Sequence, residues 1–355
     1  MSTIKNKKTV VIDTDDPRLL DNKIFNPNIA KMVSHTILPT CFLYEQAKKQ
    51  DINFITPDIY LKSPSKFTNV LLITHLQTPF TKNLIKNGAR PLILTCLESP
   101  FIAARFYTFL IRYTKQFKHS FVFLGMKKFV SKKSIYHQMY FPQPYNINDF
   151  SPKKFEEKNM LTLVSSAKSI KSWWKIILIK TLYGWSIRCI YPERQKLIKF
   201  FAQKKGFDLY GGGWNKNNIL DDFIIKKIYK GVVNDKFETI KNYKFTVCFE
   251  NAIFPGYITE KIFDALFAGS VPIYLGAPDI KKYIPSNVFI DMRDFKNYDD
   301  LYNYISTMDE QKYNIYMSSI KNFIESEKYK EFSQENYAKS VLEILNKEFA
   351  SNEKN

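Results

Sequence analysis

Two carboxylates, an amide, a phenol and an amine fall close together in this chain: Glu250, Asn251, Tyr257, Glu260 and Lys261. They sit in the run Tyr243-Lys244-Phe245-Thr246-Val247-Cys248-Phe249-Glu250-Asn251, which continues through Ala252 to Pro255 and then Gly256-Tyr257-Ile258-Thr259-Glu260-Lys261. The apolar stretch before Glu250 reads as a buried strand, and Thr259 to Ala268 as a helix. Ligands of open α/β sheets collect beyond the carboxyl ends of the strands, where Glu250 and Asn251 fall. The N-terminus of the following helix offers free N–H groups to an anion. Lys261 lies in the first turn of that helix, where the dipole disfavours a cation. That position makes sense if the amine faces a phosphate, with Glu260 beside it available to ribose hydroxyls. Taken alone, the same residues also read as an ordinary helix start, with Thr259 as its cap and the charges in solvent.

The elements that must hold these groups form an α/β series. Strands are expected at Thr9–Ile12, Ile52–Ile55, Asn69–Ile73, Pro91–Thr95 and Phe121–Leu124, with a helix over residues 37–49. Around residues 141–158, Pro142, Pro144, Pro152 and several asparagines and lysines mark a linker. A second series follows: strands at Met160–Val164, Phe207–Tyr210, Lys244–Phe249 and Val271–Leu275, with Gly211-Gly212-Gly213 forming a loop able to approach a ligand or turn tightly. The expected organisation is an N-terminal domain over 1–150, a C-terminal domain over 151–325 and a charged helical tail over 326–355.

The 355 residues suit two domains, and 45% hydrophobic with 25% charged residues makes them globular. The formal charge of +19 admits nucleic acid, an anionic membrane surface or a phosphorylated substrate as partner, or simply a lysine-rich solvated surface. No zinc-finger spacing or RNP-type motif is present, so nucleic acid is not expected. Cys41, Cys96, Cys189 and Cys248 have no metal-ligand spacing and read as buried thiols of a reducing compartment. The N-terminus lacks a signal peptide's apolar stretch and no apolar run approaches ~20 residues. The expected location is the cytoplasm, peripheral on the inner membrane face. Ser172-Trp173-Trp174-Lys175-Ile176-Ile177-Leu178-Ile179-Lys180, with Trp185 nearby, reads either as an interfacial helix on anionic lipid or as an insertion packed on the second domain. Asp13-Thr14-Asp15 has the form of a cation-chelating pair, but Asp16-Pro17 follows at once and a turn is the simpler reading. His35, His75, His119 and His137 form no ligand motif. His75 and Gln77 end a strand.

The segment Tyr243–Phe295 resembles the signature of the α-1,3-fucosyltransferases, glycosyltransferase family 10, of bacterial type. It carries Tyr-Lys-Phe, then Phe-Glu-Asn, Gly-Tyr-Ile-Thr-Glu-Lys and Val-Pro-Ile-Tyr-Leu-Gly. The resemblance implies a GT-B fold, two Rossmann-like domains facing across a cleft with the nucleotide-sugar in the C-terminal one. It implies that Lys261 contacts the diphosphate, Glu260 the ribose, and that Glu250, Asn251 and Tyr257 belong to the donor pocket. Arg194, in Pro192-Glu193-Arg194-Gln195, is similar to the family's second phosphate-binding cation, with Arg188 as a competitor. Leu97-Glu98-Ser99-Pro100 resembles the element whose glutamate is the general base. Where the family often has an asparagine, this chain reads Val164-Ser165-Ser166-Ala167-Lys168, with Ser166 or Lys168 as candidate stand-ins.

The implied activity is an inverting transfer of L-fucose from GDP-fucose to a hydroxyl of an N-acetylglucosamine-containing oligosaccharide or glycolipid, in α-1,3 linkage, for surface polysaccharide or lipopolysaccharide synthesis. No cofactor and no metal are required by that chemistry. Two alternatives stay open: a transferase for another GDP-deoxyhexose, and a non-catalytic protein that binds polyanions through its basic surface.

Overall fold

The computed structural model describes residues 8–168, 173–184, 186–215 and 219–352. The N-terminal stretch read for a leader (residues 1–7), Ser172 and Trp185 lie outside them. The chain divides into two compact units. One comprises Met1–Glu98, Arg105–Pro144 and Lys330–Asn355; the other comprises Ser99–Ala104 and Tyr145–Tyr329. The main change of unit falls at Pro144/Tyr145, inside the Pro-containing stretch.

The first unit is built on a six-stranded parallel sheet: β1 (Lys8–Asp13), β2 (Ile52–Ile55), β3 (Leu71–His75), β4 (Arg90–Thr95), β5 (His119–Val122) and β6 (Ile135–Gln138), in the order β2-β1-β3-β4-β5-β6. The central strands are continuous apolar runs because both faces of a parallel sheet are covered. Val10, Val11, Leu71, Leu72, Ile93 and Leu94 are fully buried. β6 has no such run; its sequence Ile-Tyr-His-Gln is that of a half-exposed edge, which is why periodicity does not find it.

The expected helix over 37–49 is the helix α1 (Leu38–Lys48), which buries Cys41, Leu43 and Ala47. The C-terminal helix α6 (Gln334–Asn352) packs against α1, and Asn346 Nδ2 donates to Gln50 Oε1 at 2.8 Å. Residues 330–355 therefore count with the first unit, where the sequence reading set 326–355 apart as a tail. The reason is an apolar stripe, Ala338, Val341, Leu342 and Leu345, hidden among the charges.

At the end of β1, Asp13 is buried and its carboxylate accepts from three hydroxyls: Thr74 Oγ1 at 3.0 Å, Thr78 Oγ1 at 2.6 Å and Thr81 Oγ1 at 2.5 Å. Burial raises the Asp13 carboxyl and these hydroxyls work against it. The residue clasps the loop that follows β3.

The second unit carries a five-stranded parallel sheet: β7 (Asn159–Val164), β9 (Phe207–Tyr210), β10 (Tyr243–Phe249), β12 (Val271–Leu275) and β13 (Ile290–Asp291), in the order β13-β12-β10-β7-β9. A small antiparallel pair, β8 (Arg188–Cys189) with β11 (Ala252–Ile253), is too short to leave a pattern in the sequence. The chain runs outward from β7 in both directions, to β9 on one side and to β10, β12 and β13 on the other. The gap between the ends of β7 and β10 is thus a topological switch point, where crossover connections leave in opposite directions and open a crevice.

Candidate functional site

That crevice is occupied by cations. A cleft of about 270 Å³, part of it open to solvent, is lined by Val164 and Ser165 at the end of β7 and by Val247, Cys248 and Phe249 at the end of β10, with Arg194, Lys236 and Lys261 reaching into it. Each cation arrives on a different helix: α3 (Tyr191–Phe201), α4 (Lys236–Ile240) and α5 (Glu260–Phe267).

Arg194 occupies a position where helix periodicity calls for an aliphatic side chain. The buried stripe of α3 is Tyr191, Arg194, Leu197, Ile198 and Phe201, at the three- and four-residue spacing of a core-facing helix. The side chain is 3% exposed. Its Nη1 donates to Ser165 Oγ at 3.0 Å, and its Nη2 donates to the carbonyls of Phe249 at 2.7 Å and Glu250 at 3.0 Å. All three acceptors are uncharged. Among the described residues no carboxylate lies within ion-pair distance, and Nε is buried without a hydrogen-bond partner. Burial pulls the guanidinium below its ordinary range, while Tyr191 and Glu250 oppose that. Arginine nonetheless stays protonated at these depths. A buried cation with no counter-ion is costly unless something anionic joins it.

Lys261 lines the cleft and is held there by Glu250. Glu250 is fully buried, and Gly276 makes room for it; a side chain there would collide with the Glu250 methylenes. Its Oε1 accepts the Thr259 N–H at 2.8 Å, and its Oε2 accepts the Thr259 hydroxyl at 2.7 Å and Lys261 Nζ at 3.2 Å. Thr259 therefore does not cap α5 with its side chain, as a routine helix start would; both its donors go to Glu250. Lys261 also reaches Thr259 Oγ1 at 2.9 Å and Glu260 Oε1 at 3.3 Å. Burial raises the Glu250 carboxyl, with Lys261 pulling it back. Burial lowers the Lys261 ammonium, but Glu260 and Glu250 together lift it well above its ordinary value, so it is charged throughout the physiological range.

Lys236 is the cation that sequence reading missed. Its Nζ pairs with Asp264 at 2.5 Å, and the other carboxylate oxygen accepts the Tyr145 hydroxyl at 2.9 Å. Burial lowers this ammonium, and Asp264 with Glu260 more than restores it. Two signals were available: Lys236 opens a helix capped by Asp235, the same dipole-disfavoured placement as Lys261, and Asp264 interrupts the apolar run Ile262–Phe267.

The other expected residues are placed as follows. Asn251 is buried and its carbonyl accepts the Ile190 N–H at 3.3 Å, tying the start of α3 to the end of β10. Tyr257 is 1% exposed and stacked on Phe254, with ring centroids 4.5 Å apart. Glu260 lies beside Lys261, its Oε1 3.3 Å from the amine. Arg188 is exposed on β8, paired with Ile253, and does not line the cleft. Of the candidates in Val164–Lys168, it is Ser165, rather than Ser166 or Lys168, that meets Arg194. Gly211 explains the glycine run: its φ is +122°, and a side chain would strike the Ser165 carbonyl, which also accepts Trp214 Nε1 at 2.7 Å. The glycine's close approach is thus to the strand end that carries Ser165. Glu98 belongs to the first unit, three residues beyond β4 and half-buried; its carbonyl accepts the Tyr107 hydroxyl at 2.8 Å.

Residues 180–347 match the family model described as glycosyltransferase family 10 (fucosyltransferase), C-term. Residues 180–347 carry the C-terminal domain of glycosyltransferase family 10. All three cleft cations fall inside it. An α-(1,3)-fucosyltransferase of Helicobacter pylori is 41% identical over 88 residues, 25% of this chain and 18% of that protein. Human 4-galactosyl-N-acetylglucosaminide 3-α-L-fucosyltransferase 9 is 40% identical over 90 residues, 24% of this chain and 25% of that protein. These matches span a quarter or less of the curated relatives' length. A crystal structure of α1,3-fucosyltransferase with GDP-fucose superposes with TM-score 0.52 at 19% identity, covering 97% of this chain and 92% of that one. HepE of Anabaena in complex with UDP-glucose superposes with TM-score 0.57 at 12% identity, covering 96% and 99%. These likenesses establish the GT-B class of fold, with its two Rossmann-like units, for the chain.

Proposed function

We propose that this family 10 chain is an inverting fucosyltransferase that moves L-fucose from GDP-fucose to a hydroxyl of an N-acetylglucosamine-containing glycan or glycolipid, in α-1,3 linkage, during surface polysaccharide or lipopolysaccharide synthesis. The observation that carries the reading is Arg194, a buried cation that has no counter-ion among the described residues, at the switch point of the nucleotide-binding type of sheet. A diphosphate is the ligand that completes it. Lys261 and Lys236 already hold carboxylates that offset their charge, so they offer hydrogen-bond donors and Arg194 is the cation left to the phosphates. Glu260, beside Lys261, is the residue we assign to the ribose hydroxyls, with Glu250, Asn251 and Tyr257 as further donor-site residues.

The reaction is a single displacement. The acceptor oxygen forms a bond to the anomeric carbon as the bond from that carbon to the diphosphate oxygen breaks. Glu98 takes the acceptor's proton, and GDP leaves with the bonding electron pair from the opposite face, which inverts the anomeric centre. Charge grows on the departing diphosphate, and the fixed cations stabilise it more than they stabilise the ground state. This scheme calls on no metal ion and no cofactor beyond the donor. We place the activity in the cytoplasm, where nucleotide-sugars are the donor pool.

The deciding experiment is incubation of the protein with GDP-fucose and an N-acetyllactosamine acceptor, with and without EDTA. Transfer with inversion, insensitive to EDTA, is the expected result. No transfer together with no GDP-induced rise in melting temperature overturns the reading. Full loss of transfer in EDTA overturns the metal-free mechanism. Transfer from another GDP-deoxyhexose in place of GDP-fucose replaces the donor assignment.

A further inference from the structure

The helix α2 (Trp173–Tyr183) has one face that the fold does not use. Ile179 is fully buried and Tyr183 nearly so, and they anchor the helix to the second unit. Trp173 is 71% exposed, Trp174 53%, Ile177 46% and Leu182 40%. At about 100° per residue these four fall on one half of the helix and the two anchors on the other. Lys175 and Lys180 stand on the two borders between the halves. Two tryptophans, two aliphatic residues and a lysine on each flank are the arrangement of a helix lying in a membrane interface, where indole rings sit at headgroup level and lysines reach outward to phosphate.

Charge decides what covers this face. Residues 159–192 contain Lys168, Lys171, Lys175, Lys180 and Arg188 and no Asp or Glu, in a chain whose net charge is +19. A second copy of the chain would bring the same positive field against itself. A nucleic acid would satisfy the charge but has no use for Ile177 and Leu182. A surface that is anionic outside and apolar beneath satisfies both. The helix has 11 residues, about half the length needed to cross a bilayer, so it lies on the surface. Among the described residues no helix is long and apolar enough to cross a membrane.

We infer that α2 docks the protein on an anionic lipid bilayer through Trp173, Trp174, Ile177 and Leu182, with Lys175 and Lys180 engaging lipid phosphates. α2 leads through β8 directly into α3, and β8 pairs with β11, which follows Glu250-Asn251. The docked helix thus holds the donor cleft close to the bilayer, within reach of a lipid-borne acceptor. The docking itself is independent of the fucosyltransferase reading.

The test is co-sedimentation of the full chain with phosphatidylcholine vesicles, with and without phosphatidylglycerol, read together with tryptophan emission. The expected result is binding to the phosphatidylglycerol vesicles, with a blue shift, and binding at least about tenfold weaker to phosphatidylcholine alone. The variant Trp173→Ser/Trp174→Ser should bind about tenfold less or weaker still, with an unchanged melting temperature and an unchanged GDP-induced shift. Lys175→Gln/Lys180→Gln, at two partly exposed positions, should lose the preference for phosphatidylglycerol. No sedimentation with phosphatidylglycerol vesicles overturns the inference, as does undiminished binding by the tryptophan variant. A concentration-dependent dimer that the tryptophan variant dissolves, without vesicle binding, assigns the face to a second copy instead.

Discussion

Replacing Lys261 by alanine tests the electrostatics of the cleft before any substrate is added. Among the described residues Lys261 is the one cation within ion-pair distance of Glu250, and the Glu250 side chain is fully buried. Removing one partner of a buried pair costs about 3–5 kcal/mol, because the other charge is left uncompensated. Lys261 retains some contact with solvent, and Thr259 keeps its two donors on the carboxylate, so the lower end applies: about 3 kcal/mol near pH 8. In a unit of this size that lowers the melting temperature by about 6–12 °C. The pH dependence is specific. Burial already holds the Glu250 carboxyl above its ordinary range with Lys261 opposing, and without Lys261 it rises further. On unfolding the carboxyl returns to its ordinary value. Between the two values the folded chain binds the extra proton, so a falling pH favours the fold. The deficit of Lys261→Ala should therefore shrink between about pH 8 and about pH 5.5, as Glu250 becomes neutral. Melts of the parent, Lys261→Ala, Glu250→Gln and the double variant at both pH values form a double-mutant cycle. The double variant should be less destabilised than the sum of the two singles by about 1–3 kcal/mol near pH 8. A deficit that is the same at both pH values, with coupling below about 0.5 kcal/mol, would refute an ionised, buried Glu250 held by Lys261.

Four other expectations can be checked with single variants. Arg194→Met should weaken GDP binding by about 10–100-fold in a calorimetric titration, the worth of charge-assisted phosphate bonds, while removing a buried charge limits the stability loss; unaltered affinity would take Arg194 out of the site. Glu98→Gln should leave the GDP-induced melting shift intact and lower transfer by about 10²–10⁴-fold, and unimpaired transfer would reject it as the base. Gly211→Ala should cost about 3 kcal/mol in denaturant melts, because φ is +122° and the new methyl meets the Ser165 carbonyl; a loss below about 1 kcal/mol would mean that the loop moves aside freely. Burial holds His75 down at about 4, and burial with the neighbouring His137 does the same to His119, whose Nδ1 lies 2.9 Å from His137 Nε2. The unfolded imidazoles take protons first, so stability present above about pH 6.5 should drain away as pH falls toward about 4. His119→Asn should flatten that acid limb, and an unchanged limb would remove the pair as its source.

Much of the scaffold was legible. The buried strands of both sheets are largely apolar, broken only by single polar residues such as Thr162 and Thr246, and every expected strand is present to within a few residues, because a parallel strand covered on both faces leaves the strongest pattern a sequence can carry. The elements that escaped were the half-exposed edge strand β6, the two-residue strands β8 and β11, and β13, all too short or too polar for periodicity. The final helix shows the limit from the other side: its charges dominated the reading, and only packing against α1 reveals that residues 330–355 return to the first unit.

At the site the division is sharper. Residue types and spacing were enough to place Glu250 at a strand end and Lys261 in the first turn of a helix, because those are local facts about where backbone groups and dipoles point; only the family resemblance tipped the reading from an ordinary helix start toward a phosphate. Partnership is not local. That Thr259 spends both donors on Glu250, that Lys236 and Asp264 join across 28 residues, and that Ser165 meets Arg194 across 29 are decided by which strand ends the switch point brings together. The same tertiary packing leaves Arg194 buried and, among the described residues, without a counter-ion. In the sequence it is one arginine among many basic residues; in the fold it is a buried charge held by neutral acceptors at the end of two strands.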